Sequence, residues 1–260
     1  MSRKVKESCA IISQELLEKD IYSLWIQTET IARNALPGQF VSVYMRDKSK
    51  LLPRPLSICE IDRENGRIRL VYRVTGKDTG TEALARLHTR IQVEVLGPLG
   101  NGFPLEEGRR KRVLLMGGGI GIPPMLQTAK ELKGERISVL GYRDRLFLNQ
   151  EFENYGDVYV ATEDGSAGTE GNVLDAVREH HIQADVIFAC GPKPMLKAVK
   201  AYALKEGIPC WISMEERMAC GIGACLGCVC QSAEVDGHSH VHNKRVCKDG
   251  PVFLSTEVEL

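Results

Sequence analysis

The chain has 260 residues, and 34 lysines and arginines balance 34 aspartates and glutamates, so its formal net charge at pH 7 is zero. At about 150 residues per domain, this length predicts roughly two domains that need no disulfide bonds to hold a core. Neutrality argues against a nucleic-acid binder, which needs a basic excess. No apolar run approaches the roughly 18 to 20 residues of a membrane helix and no signal peptide is visible, so the predicted location is the cytoplasm.

The first hundred residues predict a small antiparallel β-barrel or sandwich. Residues 39–45, 67–74 and 91–96 alternate polar and apolar positions, which is the period of a half-buried strand. Turn signals such as Pro37-Gly38 and Asn65-Gly66 come directly before two of them. One short helix is predicted here, over residues 83–87.

Two arginines of this region lie near hydroxyl-bearing residues. Arg54-Pro55-Leu56-Ser57 closes an apolar stretch, and Tyr72-Arg73 ends the next predicted strand. The planar fork of a guanidinium group is suited to binding a diphosphate. Arginines are also ordinary on the surface of a barrel, so the residues alone leave both interpretations open.

From residue 113 onward the pattern changes to strands that alternate with helices. Strands are predicted over 113–116, 137–140, 158–161, 185–189 and 209–214, and helices over 123–133, 172–180 and 193–206. This alternation is typical of a parallel sheet covered on both faces.

A glycine-rich loop, MGGGIGIPPML over residues 116–126, follows the first of these strands and opens a helix. Its glycines would let the backbone approach a pyrophosphate, whose charge a helix N-terminus favours. The spacing is not G-x-G-x-x-G, and Gly141-Tyr142-Arg143 stands where an acidic residue would end the second strand. A simple tight turn is the alternative. Cys190-Gly191-Pro192 occupies a matching strand end, where a lone cysteine is by default a buried thiol.

Five of the nine cysteines fall within 28 residues of the C-terminal segment. Cys220, Cys225 and Cys228 have the spacing C-x4-C-x2-C, and Cys247 follows after 18 intervening residues, which is the ligand pattern of plant-type [2Fe-2S] clusters. Small residues between them would let backbone amides approach the sulfurs. Zinc is the alternative, although zinc ligands usually come as two C-x2-C pairs.

Two other features of this segment leave more than one interpretation open. Cys230 competes for the fourth ligand position, but its closeness to Cys228 would strain the chain, and a buried thiol is the plainer interpretation. His238-Ser239-His240-Val241-His242 would put three imidazoles on one side of an extended strand. A second metal site, a Rieske-like shell or a solvated loop would each account for these histidines.

Together these motifs resemble the ferredoxin reductase-like flavoproteins, which combine R-P-x-S on a barrel, GGGIG and CGP in a nucleotide domain, and a cluster-binding tail. More narrowly, EERMACGIGACLGC over residues 215–228 and VCKDGPVF over 246–253 resemble the electron-transfer subunits of NAD-linked, B-type dihydroorotate dehydrogenase. The resemblance covers nearly the whole chain, and the tail is its most specific part.

The resemblance implies a multi-domain β plus α/β fold with three regions. These are an antiparallel β-barrel that binds FAD over 1–107, a parallel-sheet α/β domain that binds NAD over 108–214, and a [2Fe-2S] subdomain over 215–260. The implied FAD-binding residues are Arg54, Pro55, Leu56, Ser57, Val71, Tyr72, Arg73, Gly80 and Thr81. The implied NAD-binding residues are Gly118, Gly119, Ile120, Gly121 and Ile122, with Cys190 as the candidate catalytic residue beside the nicotinamide. The implied cluster ligands are Cys220, Cys225, Cys228 and Cys247.

The resemblance also implies an activity. The chain would be an oxidoreductase subunit of pyrimidine biosynthesis that carries electrons from the FMN of a dihydroorotate dehydrogenase catalytic subunit, through [2Fe-2S] and FAD, to NAD+. It would act in a heterotetramer. The tail over residues 214–260, which has seven acidic and four basic residues, would lie against its partner. FAD is required between the other two centres because NADH carries a hydride and the cluster passes single electrons.

Two rival functions stay open at this point. The chain would equally suit another complex, such as a ferredoxin:NADP oxidoreductase or a hydrogenase module, in which Arg143 would favour NADP. A module without catalytic activity, ordered by zinc, is the other.

Overall fold

A closed antiparallel barrel forms the N-terminal part of the protein, which confirms the predicted fold class. The computed structural model describes residues 4–47, 49–235 and 240–260. The barrel strands are β1 (Val5–Glu18), β2 (Ile21–Gln27), β3 (Phe40–Tyr44), β4 (Arg54–Asp62), β5 (Arg67–Arg73) and β6 (Gln92–Leu99), and the helices between them are α1 (Glu29–Asn34) and α2 (Gly80–Ala85). Around the barrel the order is β1-β2-β5-β4-β3-β6.

Alternation along the strands divides the barrel side chains between two faces. Leu56, Ile58 and Tyr72 lie inside, in the core of the barrel. Cys59 and Val71 lie outside, in an apolar cluster shared with the second sheet. The outer face of β4 and β5 is therefore the surface on which the next part of the chain rests.

The middle of the chain forms a parallel sheet with helices, as predicted. Its strands are β7 (Arg112–Gly118), β8 (Glu135–Tyr142), β9 (Asp157–Thr162), β10 (Thr169–Glu170), β11 (Val186–Cys190) and β12 (Cys210–Ser213). Its helices are α3 (Pro123–Glu131), α4 (Asn149–Phe152), α5 (Val173–Glu179) and α6 (Lys193–Glu206), with 3-10 turns at Leu105–Gly108 and Gly119–Gly121. No helix of the described ranges has the length and apolarity to span a membrane.

The C-terminal segment is tied into this sheet. After the short hairpin of β13 (Val229–Cys230) and β14 (Lys244–Arg245), the chain forms β15 (Val252–Leu254), which pairs antiparallel with β12. The full sheet order is β10-β9-β8-β7-β11-β12-β15. The predicted boundary at 214/215 falls directly after β12, and β15 beyond it belongs to the sheet of the preceding region.

A chain of four charges links the barrel to the helices of the sheet. Arg69 Nη1 on β5 donates to Glu60 on β4 at 2.9 Å and to Glu151 on α4 at 2.6 Å. Glu60 also lies 3.6 Å from Lys130 Nζ on α3. The Arg69 side chain is only 9% exposed, and its Nε donates to Ser23 at 2.8 Å. A buried guanidinium needs all of these partners, so the network fixes α3 and α4 against the barrel.

A buried amide makes a second link between the two parts. The Ile61 N–H donates to Gln127 Oε1 on α3 at 2.8 Å. The pairing of β4 with β5 shifts register between Ile58 and Glu60, and this bulge precedes Ile61. Because α3 directly follows the glycine-rich loop, the bond fixes the position of that loop relative to β4.

Replacing the buried guanidinium should destabilise the protein strongly. In Arg69→Met, Glu60 keeps only Lys130 as a charged partner, and we expect the free energy of unfolding to fall by about 3 to 5 kcal/mol. Urea unfolding measures this change. As a control, Arg145→Met removes the exposed ion pair with Glu18 and should cost less than about 1 kcal/mol. Equal losses in the two variants would contradict the importance of burial.

Candidate functional site

Arg54 lies at the start of β4, against the first residue of α2. A Cβ placed on Gly80 would overlap Arg54 Nε and lie 2.8 Å from its Cζ, so the guanidinium group rests on this turn. Thr81 Oγ1 accepts from the Thr75 N–H at 3.1 Å, and Thr79 caps α2. Arg54 Nε is buried without an acceptor in the described part of the chain. An orphaned N–H of this kind fits an anionic group such as a diphosphate.

Pro55, Ser57, Val71 and Arg73 share the outer face of the barrel. Ser57 pairs with Phe40, and Pro55 pairs with Ser42, on the neighbouring strand β3. Residues paired in this way point to the same face of a sheet. The outer face of β3, β4 and β5 therefore presents one continuous surface.

Leu56 and Tyr72, by contrast, serve the inside of the barrel. Tyr72 is 1% exposed, its hydroxyl donates to Gln14 Oε1 at 3.1 Å, and its ring stacks on Tyr22 with 5.9 Å between the centroids. Burial raises the pKa of the Tyr72 hydroxyl above its usual value. The side chains of Leu56 and Tyr72 thus stabilise the strands, and these residues reach the outer face only through their backbone.

The glycine-rich loop and the Cys190 turn meet at one edge of the parallel sheet. The strand register places Cys190 opposite Gly117. A Cβ on Gly121 would lie 2.5 Å from the Cys190 carbonyl carbon, so only glycine permits this approach. Both turns follow the carboxyl ends of their strands, which is where parallel sheets bind nucleotides.

The helix that follows the loop begins with two prolines, Pro123 and Pro124. Proline has no N–H, and the Met125 N–H already bonds to the Ile122 carbonyl at 3.0 Å. The first turn of α3 therefore offers few free donors. The expected contact of a pyrophosphate with this helix N-terminus is restricted to the N–H groups that precede Pro123.

The loop also approaches the barrel. Arg73 Nη2 lies 4.0 Å from the position of a Cβ on Gly119. Arg73 is exposed at the end of β5, and Val71 on the same face contacts the apolar cluster beneath the sheet. The predicted flavin strands and the predicted nucleotide loop are therefore adjacent.

Cys190 is a neutral thiol in its surroundings. Burial raises its pKa to about 12, the nearby Glu215 charge acts in the same direction, and a hydrogen bond with Ser213 opposes them. At neutral pH a group with this pKa is not a nucleophilic thiolate. Cys190 is thus suited to contact a ligand rather than to form a covalent bond with it.

Glu215 was missed in the sequence analysis. It follows β12, the strand next to β11, so its carboxylate lies at the same sheet edge as Cys190. Partial desolvation raises the pKa of Glu215. A cavity of about 370 Å³ opens beside these residues, and its walls include Gly191, Lys193 and Arg217. An acidic residue directly after a parallel strand was the available signal.

The four predicted cluster ligands lie in two pairs. Cys220 contacts Cys225, and Cys228 contacts Cys247, whose N–H lies 3.4 Å from Cys228 Sγ. The charge of Cys220 acts on Cys247, so the pairs are close to each other. Within the described ranges, no three His, Cys, Asp or Glu side chains converge as a single ion would require. Two adjacent pairs of thiols fit a [2Fe-2S] cluster, which takes four cysteine ligands shared between two irons.

Backbone amides surround the first pair of thiols. The Ala224 N–H donates to Cys220 Sγ at 3.3 Å. Burial acts to raise the pKa of Cys220, but the N–H groups of Ile222 and Cys225 outweigh it and lower the value to about 6. Burial raises the pKa of Cys247 to about 12. Amide donors aimed at sulfur are a feature of iron–sulfur sites, so these residues fit such a group.

Cys230 and His242 each form a hydrogen bond with a backbone carbonyl, those of Lys244 and Ser232. Cys230 is 6% exposed, and its Sγ donates to the Lys244 carbonyl at 3.4 Å. His240 and His242 are exposed, His240 has a φ of 55°, and residue 242 lies in a bend. The prediction of an extended strand is therefore wrong for residues 240–242, because a left-handed residue interrupts it. His238 lies outside the described residues.

We call the segment from Cys220 to Cys247 the cysteine-rich loop, and its first residues rest on the outer face of the barrel. A Cβ on Gly221 would lie 2.9 Å from Ser42 Oγ and 3.2 Å from Leu99 Cδ1, and Gly221 has a φ of 69°. The backbone angle and the close contact both require glycine. Because Ser42 pairs with Pro55, one strand separates this loop from β4. The strand β4 therefore lies between the nucleotide loop, reached across β5, and the cysteine-rich loop, reached across β3.

Two family models match the two ends of the chain. Residues 8–103 match the oxidoreductase FAD-binding domain, and residues 215–259 match the iron-sulfur cluster binding domain of dihydroorotate dehydrogenase B. The first range corresponds to the barrel and the second to the C-terminal segment.

Among solved structures, a chain of the NADH-dependent reduced ferredoxin-NADP oxidoreductase is similar with a TM-score of 0.84 and 31% identity, over 96% of this chain and 89% of that chain. The ferredoxin reductase in carbazole 1,9a-dioxygenase shares the fold, with a TM-score of 0.64 and 18% identity over 79% of this chain and 67% of that chain.

Curated relatives match over nearly the whole length. The protein named dihydroorotate dehydrogenase B (NAD(+)), electron transfer subunit, of Geobacillus thermodenitrificans is 42% identical over 262 residues, and its namesake of Bacillus caldolyticus is 44% identical. Each alignment covers 98% of this chain and 99% of the relative. With this identity over almost its entire length, the chain belongs to the family of dihydroorotate dehydrogenase B electron transfer subunits.

Proposed function

We propose that this chain is the subunit through which a dihydroorotate dehydrogenase passes electrons to NAD+, with FAD and a [2Fe-2S] cluster as its cofactors. The observation that carries this proposal is the place of β4, between the nucleotide loop on one side and the cysteine-rich loop on the other. When bound there, the flavin supplies the exchange between a hydride and single electrons. Membership of the family supports NAD+ as the nucleotide.

The barrel would bind and orient FAD. The orphaned Arg54 Nε beside Gly80 is proposed to donate to the diphosphate. Ser57, on the outer face, is proposed to lie near the isoalloxazine ring. Arg73 carries a positive charge at the junction with Gly119, where phosphate groups of either cofactor would be attracted.

The sheet edge would hold the nucleotide. Gly118 to Ile122 are proposed to lie along the pyrophosphate, with Cys190 beside the nicotinamide. Because Cys190 is a neutral thiol, it would not form a covalent bond with the nicotinamide ring. Its proposed role is to position that ring. Cys220 with Cys225 and Cys228 with Cys247 are the proposed pairs of iron ligands.

The surface around the cluster is proposed to bind the FMN-containing catalytic subunit, in a heterotetramer. Ile222, Leu226 and Val229 are 46%, 59% and 37% exposed, and Cys225 lies exposed among them. We call these three residues the cluster-loop patch. Exposed apolar side chains grouped around a redox centre indicate a protein interface, because a short distance to the partner is needed there.

The proposed location is the cytoplasm. All nine cysteines are free thiols, and four of them are the proposed iron ligands. A reducing compartment preserves such thiols.

A second candidate function has an observation in its favour. The 31% identity to a chain of the NADH-dependent reduced ferredoxin-NADP oxidoreductase supports a flavoprotein subunit that serves another partner. Coexpression with a dihydroorotate dehydrogenase catalytic subunit, followed by a pull-down, distinguishes the two. Stable capture supports the first function, and failure to capture supports the second.

Removal of one proposed ligand should separate two activities of the complex. In Cys225→Ser we expect loss of iron and of dihydroorotate-dependent NAD+ reduction, while NADH oxidation by an artificial two-electron acceptor continues. Iron analysis and the two assays measure this. The matched control is Cys230→Ser, which should keep its iron because Cys230 belongs to neither pair. Loss of both activities with FAD retained would contradict the proposed order of centres.

A charge on the cluster-loop patch should weaken assembly. Leu226 has a φ of 56°, which aspartate tolerates, so Leu226→Asp alters the surface with little backbone strain. We expect a loss of about 2 kcal/mol in binding the catalytic subunit, roughly 30-fold in Kd. Leu204→Asp is the control, since Leu204 on α6 is equally exposed at 57%. An equal effect of both variants on Kd, measured by calorimetry, would remove the patch from the interface.

A further inference from the structure

Asn101, in the linker between β6 and β7, binds the segment that follows the last proposed ligand. Its Nδ2 donates to the carbonyl oxygens of Asp249 at 3.2 Å and Val252 at 2.9 Å. Its Oδ1 accepts from the Val252 N–H at 3.0 Å, and its own N–H donates to the Gly250 carbonyl at 2.7 Å. One residue thus makes four hydrogen bonds to the stretch 249–252.

Gly100, the neighbour of Asn101, lies close both to this stretch and to Phe40 on β3. A Cβ on Gly100 would lie 2.6 Å from the Gly250 carbonyl oxygen and 3.1 Å from Phe40 Cε1. Phe40 pairs with Ser57 on β4 and with Leu99 on β6. The stretch after Cys247 therefore rests on the strands that also contact Gly221 at the start of the cysteine-rich loop.

Both ends of the cysteine-rich loop therefore lie on the same side of the barrel, next to β3 and β6. The contacts that hold the two ends differ. At the first end, Gly221 packs closely against Ser42 and Leu99. The second end is hydrogen-bonded by Asn101. Neighbouring strands of a sheet lie about 4.8 Å apart. The width of the single strand β3 therefore sets the distance between this loop and β4.

We propose that Asn101 is a positioning residue for electron transfer, which holds the cysteine-rich loop on β3 and thereby fixes the separation between cluster and flavin. The inference rests on the proposed function. Electron tunnelling falls exponentially with distance, so lifting the loop from β3 slows the transfer even when all four thiols keep their iron.

The isolated full-length holoprotein allows a direct test. In the loaded protein, NADH would supply a hydride, which carries two electrons, and the cluster would accept electrons singly from the flavin site on the barrel. Stopped-flow absorbance separates flavin reduction from the later reduction of the cluster. Asn101→Asp keeps the size of the side chain but replaces two donors by a carboxylate oxygen that faces carbonyl oxygens.

For Asn101→Asp we expect unchanged FAD and iron contents, unchanged flavin reduction and a slower second phase. Hydrogen exchange of the Val252 amide should accelerate roughly 30-fold, because two hydrogen bonds are lost. If exchange accelerates while the second phase keeps the wild-type rate, Asn101 does not set the separation and the inference is overturned. If wild type shows no second phase, the proposed function itself fails.

A second variant and a control complete the test. Should Asn101→Asp lose iron, the same comparison is made with Ser42→Thr, which adds a methyl group where Gly221 contacts β3. An unchanged second phase in that variant overturns the inference. Glu257→Gln removes an ion pair of 2.7 Å with Lys244 inside the C-terminal segment, and it should leave both phases unchanged. A second phase slowed as much by Glu257→Gln would mean that any loosening of the segment suffices, which also overturns a specific role for Asn101.

Discussion

The alternation of side chains along three neighbouring barrel strands determines which candidate residues of the barrel face its outer surface. Ser42, Ser57 and Arg73 point outward from β3, β4 and β5, while Leu56 and Tyr72 between them fill the barrel. A shift of one residue in this register would exchange the two faces. The flavin surface, the contact with the nucleotide loop and the contact with the cysteine-rich loop would then disappear together. The apolar core of the barrel is therefore also what specifies the site.

The two surfaces that adjoin this face are held in different ways. On one side, the buried chain of charges through Arg69 and Glu60 joins the barrel to α3 and α4. On the other side, Asn101 binds mainly backbone groups of the C-terminal segment. Charge pairs of this kind depend on both partners being present, whereas hydrogen bonds to backbone carbonyls tolerate changes of side chain in the segment they hold.

Much of this arrangement was predictable from the sequence where the signal is local. The spacing of Cys220, Cys225, Cys228 and Cys247 predicted four ligands, and the structure brings these four thiols together in pairs. The alternation of strands and helices after residue 113 predicted the parallel sheet. The strands β1 and β2 were missed because register shifts near Ile11 and Leu16 interrupt the period of two. The six-residue helix α1 was also missed.

Other features depend on contacts that no local pattern reveals. Asn101 and Val252 are 151 positions apart, and Glu215 meets Cys190 only because β11 and β12 are neighbours. The sequence motif also grouped Tyr72 with Arg73 as residues of one binding site. Adjacent residues of a strand lie on opposite faces, so only one of these two side chains can face a ligand. The two prolines at the start of α3 were visible in the sequence. That they leave the first turn of this helix with few free N–H donors follows only from the position of the helix start in the structure.

The pairing of Ser213 with Val252 bears on how the protein matures. The cysteine-rich stretch between these two residues is a loop whose ends are joined within the sheet. Folding of the sheet therefore includes the entropic cost of closing this loop. In small metal-dependent domains, binding of the metal and folding of the chain are one event. Here the barrel and the sheet have apolar cores, and the pairing of β12 with β15 joins the two ends of the loop through backbone hydrogen bonds. The closure of this loop therefore depends on the sheet and not only on its thiols.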